Sequence, residues 1–127
     1  MLRWFVVLAA VAGFLGVAGG AFGAHALKAH LSPERMEIWH TAVLYQLIHA
    51  VALLAVGLAS GVLPGRALLA GAGIAFIAGI VLFSGSLYAL ALSGVRILGA
   101  ITPLGGLAFL VGWLLLALAA WRYGGTR

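Results

Sequence analysis

Charged residues interrupt the chain so rarely that they divide it into four long apolar runs, 4–27, 38–65, 67–95 and 97–121. Each exceeds the roughly 20 residues a helix needs to cross the hydrocarbon core of a bilayer. Closed β-barrels also span membranes, but their strands alternate polar and apolar residues. Val6-Val7-Leu8-Ala9-Ala10-Val11 and Leu114-Leu115-Leu116-Ala117-Leu118 do not alternate. The pattern predicts an all-α integral membrane bundle, a single domain over 1–127 with helices at about 3–25, 33–59, 66–93 and 103–122. The first run has the charge-then-apolar look of a secretory signal. Its apolar stretch is long, which favours a retained first helix.

Local punctuation supports these limits. Ser32-Pro33-Glu34 places a capping hydroxyl, a proline at the first helical position and an acid in the first turn. Thr102-Pro103 repeats the cap-then-proline device, leaving 94–101 as a short interfacial connection that holds Arg96. Trp4, Trp39, Trp113, Trp121 and Tyr123 lie mostly toward span ends, where an aromatic belt is expected. An even number of spans puts both termini on one side with Arg3, Arg66, Arg122 and Arg127, against Lys28, Arg35 and Arg96 on the other. That balance predicts cytoplasmic termini in a cell (inner) membrane.

Small residues let helices approach closely in lipid, where no hydrophobic force drives them together. Ala9, Gly13, Gly16, Gly20 and Gly23 form an ordered seam that predicts helix one buried against its neighbours. Gly71, Ala75 and Gly79 on helix three, with Gly105, Ala108 and Gly112 on helix four, offer shorter ones.

Composition narrows the chemistry. Of 127 residues, 65% are hydrophobic and 7% charged, whereas soluble domains carry about 25% charged residues. A net charge of +5 comes from seven scattered basic residues, so the clustered face that nucleic acid requires is absent. Without cysteine, thiolate metal sites and disulfides are excluded, and without aspartate there is no Ser-His-Asp triad. The partner expected from composition is the lipid bilayer, with a homo-oligomer or larger membrane complex open, and no cofactor or metal is called for.

Polar groups inside a bilayer are expensive and need partners or a role. Thr41, Tyr45 and His49 recur at four-residue spacing, with Gln46 beside them and Ser84, Ser86 and Tyr88 on helix three. Together they form the candidate intramembrane site. His49 admits three readings: a hydrogen-bonded neutral imidazole fixing the bundle, a proton or substrate relay, or a haem ligand. A bis-histidine haem lacks its second histidine on helices three and four.

A second candidate cluster lies on the loop side: His25, His30, Glu34, Glu37, His40 and Arg96, with Lys28 near it. Glu37-x-x-His40 matches one half of a di-iron element, but the chain's two carboxylates are too few for such a centre. A single metal is chemically allowed there. The simpler expectation is a polar cap in which Glu34 and Glu37 pair with Lys28, Arg35 or Arg96.

Four ordered segments carry a family resemblance: 20–27 (Gly-Ala-Phe-Gly-Ala-His-Ala-Leu), 41–50 (Thr-Ala-Val-Leu-Tyr-Gln-Leu-Ile-His-Ala), 83–88 (Phe-Ser-Gly-Ser-Leu-Tyr), and 99–106 with Gly112-Trp113. With them the chain resembles the transmembrane-protein-256-like family, domain of unknown function 423. The resemblance implies a four-helix protein of bacterial inner or organelle membranes and brings no activity with it. It singles out His25, Tyr45, Gln46, His49, Ser84, Ser86, Tyr88, Thr102 and Pro103. Three functions follow as expectations: a non-enzymatic structural or accessory subunit, a transporter or channel component with a polar site around His49, or a membrane metal or redox protein.

Overall fold

Four helices long and apolar enough to cross a membrane make up the computed structural model, which describes residues 2–125. They are α1 (Arg3–Leu27), α2 (Pro33–Ala59), α3 (Arg66–Ser93) and α4 (Thr102–Tyr123), the last preceded by a 3₁₀ turn at Arg96–Ala100. Arg127, counted above with the terminal charges, lies outside the described residues.

The helix ends follow from their capping chemistry. Ser32 Oγ accepts the Arg35 backbone N–H at 3.2 Å, and Pro33 opens α2 where its missing N–H is harmless. Thr102 does not cap α4: it lies inside the helix, Ile101 occupies the cap position, and the hydroxyl is used elsewhere. At the end of α3, Gly94 adopts φ +73°, the left-handed conformation that favours glycine, and returns its N–H to Leu90 O. The carbonyls of Ala91 and Leu92 remain open, and the Arg35 guanidinium donates to both at 2.7 Å. Cation and carbonyl dipoles reinforce each other there. The expected pairing of Arg35 with Glu34 or Glu37 therefore gives way to a clamp of α2 on the end of α3. Arg35→Gln should lower stability by about 1 kcal/mol, read as an earlier thermal transition in detergent.

The bundle is not symmetric. Half (50%) of the most apolar window of α2 is buried, against 11% for α1. Helix α2 is thus the central element, and α1 lies along it as an outer helix with Trp4, Val11, Phe14 and Phe22 facing outward. The expected burial of helix one within the bundle is corrected accordingly. Its seam is corrected too. A Cβ added at Gly16 would meet Leu47, at Gly20 Val43 and at Gly23 Trp39, but Gly13 has nothing within 4 Å. Gly20 and Gly23 keep their contacts with α2 through a π-helical turn at Ala18–Gly23, whereas Gly13, before that turn, lines an apolar cleft of about 350 Å³ opposite Leu47, Ala50 and Leu54 of α2.

The core is assembled by aromatic rings seated on glycines. Phe76 of α3 lies over Gly112 of α4, Phe109 of α4 over Gly79 of α3, and Phe5 of α1 over Gly73 of α3. Phe76 and Phe109 are buried with Leu53, Val56, Leu69 and Ala72. Each glycine removes the atom that would block its ring, so close packing helps to hold the pairs in register.

Candidate functional site

The buried stripe of α2 contains Ala42, Gln46, His49 and Leu53, spaced 4, 3 and 4, as one helix face requires. The expected Thr41–Tyr45–His49 stripe is thereby shifted. Thr41 is exposed and its hydroxyl donates back to Glu37 O at 3.0 Å. Tyr45 is 38% exposed, its ring tilted against Phe83 at 4.4 Å.

Three separate sets of hydrogen bonds leave this stripe and its neighbours. In the first, Gln46 Nε2 donates to Ala12 O of α1 at 2.8 Å, and Tyr88 OH of α3 donates to Gln46 Oε1 at 2.6 Å. Tyr88 packs against Trp39 at 4.7 Å, and Trp39 Nε1 donates to Gly19 O inside the π-helical turn of α1. In the second, Ser84 donates to Ala42 O at 2.7 Å from a π-helical turn at Ile80–Ser84, while Ser86 bonds both Phe83 O and Thr102 of α4.

The third set surrounds His49. Trp113 Nε1 of α4 donates to His49 Nε2 at 3.0 Å, and His49 Nδ1 lies 2.8 Å from Tyr45 O. An indole N–H can only donate, so Nε2 is the bare nitrogen and Nδ1 carries the hydrogen given to Tyr45 O. Phe109 stacks on the imidazole at 3.5 Å between centroids, and Phe76 closes one side at 5.7 Å. Both nitrogens of this neutral ring are used. No buried side-chain nitrogen or oxygen among the described residues lacks a partner.

The seven candidate residues are therefore not one site. Gln46 with Tyr88, Ser84 with Ser86, and His49 each bind a different neighbour. Two further donors come from residues expected in the aromatic belt: Trp39 and Trp113 both aim their N–H inward. Their only sequence mark is position, since each lies on the same helix face as a buried residue three or four positions away, Val43 and Phe109.

Of the clefts that flank the bundle, two touch the candidate residues. An apolar groove of about 310 Å³ between α1 and α3 is lined by Leu8, Leu15, Leu53 and Ile80, with Gln46 and Tyr88 on its wall. His49 does not line it. A second cleft, on the loop side, contains His25, Lys28 and His40. Glu34, Glu37, His30 and Arg96 lie outside its walls, and no three histidine or carboxylate groups converge to hold a metal among the described residues. The loop-side residues are thus split as well.

Comparison with known proteins bears on the whole chain. The family described as "Protein of unknown function (DUF423)" matches residues 19–106. A UPF0382 membrane protein of Staphylococcus epidermidis is 48% identical over 124 residues, covering 98% of this chain and 100% of the relative. The chain belongs to the DUF423 family. A second member, UPF0382 membrane protein YwdK of Bacillus subtilis, is 43% identical over 122 residues, 96% of this chain and 99% of its own length. No solved structure matches the chain. The family's matched segment runs from Gly19 to Gly106 and so contains Trp39, Gln46, His49, Ser84, Ser86, Tyr88 and Thr102. Ala12 and Trp113, which receive and give the outer bonds of the network, fall beyond it. The family is one of membrane proteins, and the bilayer is the medium of this chain.

Proposed function

We propose that this protein is a non-enzymatic structural or accessory subunit of a cell-membrane assembly, and that its intramembrane polar residues fix helix packing. The observation that carries this reading is His49, whose two nitrogens are both engaged inside the chain. A relay histidine must exchange a proton with something outside itself, and must trade one of these bonds to do so. The lining of the groove between α1 and α3, aliphatic apart from Gln46 and Tyr88, supports the same reading, since a path for ions needs polar walls. Cytoplasmic termini follow from the four-to-three excess of Arg and Lys on the terminal side once Arg127 is counted. An outer α1 with one free apolar face suits contact with a second copy or another membrane subunit.

The test removes the histidine pair as a unit. In His49→Phe/Trp113→Phe, donor and acceptor disappear together, a change that is nearly neutral when shape is kept. Thermal stability should fall by no more than about 1 kcal/mol, and proton leak in proteoliposomes should equal that of the wild type and of empty vesicles. Wild-type flux driven by a pH gradient and lost in the double variant would establish a pathway instead.

A further inference from the structure

We infer that the loop-side cleft between the end of α1 and the start of α2 binds the phosphate headgroup of an anionic phospholipid. Its walls are two helical stripes. Ala21, Ala24, His25 and Lys28 follow one another on α1 and the turn beyond it, and Pro33, Met36 and His40 follow on α2. Spacings of three, one and three, then three and four, keep each set on one helix face. Small residues, Gly20, Ala21 and Ala24, leave the space between them, about 590 Å³.

The cleft mixes apolar and basic side chains. Leu31, Met36, Ala21 and Pro33 supply apolar walls, and His25, Lys28 and His40 supply nitrogen donors and the only formal charge. Both carboxylates of the chain are absent from the lining: Glu34 and Glu37 sit on α2 beside the stripe that faces the cleft. A lysine in a lining that holds no carboxylate, among apolar side chains, matches a molecule with an anionic head and a hydrocarbon body. The cleft also lies where such molecules are, at the end of two membrane-spanning helices. An ammonium group gives charge-assisted hydrogen bonds to phosphate oxygens on whichever side of the membrane it lies. Free phosphate shares the anionic head but would leave the apolar walls unfilled, so the lipid is the better fit.

Native mass spectrometry of the full chain, released from nanodiscs of equimolar phosphatidylethanolamine and phosphatidylglycerol, tests the assignment. The wild type should retain phosphatidylglycerol in preference. Lys28→Gln should reduce that retention about fivefold, and His25→Gln/Lys28→Gln/His40→Gln further. Met36→Trp, which fills the cleft with every charge in place, should also reduce it. Arg96→Gln, on the same membrane side but outside the cleft, should not. Equal loss in Arg96→Gln would mean diffuse surface attraction and overturn the site. So would retention unchanged in Met36→Trp, the absence of any preference between the two lipids, or inorganic phosphate adducts of equal occupancy from nanodiscs lacking phosphatidylglycerol.

Discussion

Gly105→Ala should destabilise the bundle by about 3 kcal/mol, the upper end for forcing one carbon into a packed interior, while Gly13→Ala should leave stability unchanged or raise it slightly. The two substitutions add the same methyl group to a membrane helix. At Gly105 the new Cβ would overlap the backbone nitrogen of Phe83 and lie 2.7 Å from its Cα. A side chain can rotate away from such a contact, but a backbone cannot, so α3 and α4 must separate. That separation would also pull Phe109 from Gly79 and Phe76 from Gly112, one and two turns further along the same interface. At Gly13 nothing lies within 4 Å, and alanine is the better helix former by about 1 kcal/mol. Thermal unfolding in detergent measures both, and the Gly105 variant should melt roughly 10 °C lower. Equal melting points for the two would sink the account of ring-on-glycine packing.

The pair also marks how far sequence reasoning reaches. Spans are legible because a charge in hydrocarbon is so costly that its position alone delimits the helices. Ser32-Pro33 is legible because a cap is local: hydroxyl, proline and N–H all lie within three residues. The seam of α1 is only partly so, because spacing puts Gly13 on the side of α2 but does not fix the distance between the helices, and a cleft separates them there. Thr102-Pro103 has the same local form as Ser32-Pro33, yet its hydroxyl is taken by Ser86, sixteen residues away. A tertiary partner outcompeted the local one, and nothing in the dipeptide announces it.

The candidate site was legible in residue type and illegible in pairing. Gln46, His49, Ser84, Ser86 and Tyr88 stand out because polar groups in an apolar run demand partners. Which partners they take depends on helix rotation and depth. A shift of the buried face from Tyr45 to Gln46 changes every pair, and it removes Thr41 from the core. Trp113 was hidden because tryptophan is both an interfacial anchor and a hydrogen-bond donor, and only the proximity of His49 decides between them.

Gln46 is where pairing matters most, because one amide holds three helices. Its nitrogen donates to α1 at Ala12 O, and its oxygen accepts from Tyr88 on α3. Gln46→Leu keeps the bulk but strands the Tyr88 hydroxyl, which is half-buried, and frees α1 from its one side-chain bond at that depth. A stranded donor costs about 1–3 kcal/mol, so a loss of about 2 kcal/mol is expected. Tyr88→Phe alone leaves Gln46 Oε1 without its donor and should lose about 1 kcal/mol. The double variant Gln46→Leu/Tyr88→Phe should be more stable than the sum of the two losses, since it strands nothing on α3. The coupling from the double-mutant cycle should be about 1 kcal/mol. Additive losses would mean that the two side chains act independently and that Gln46 does not join α1, α2 and α3. Coupling with the expected sign would locate the junction of the three helices at a single glutamine, the point on which the packing role proposed for the polar core depends.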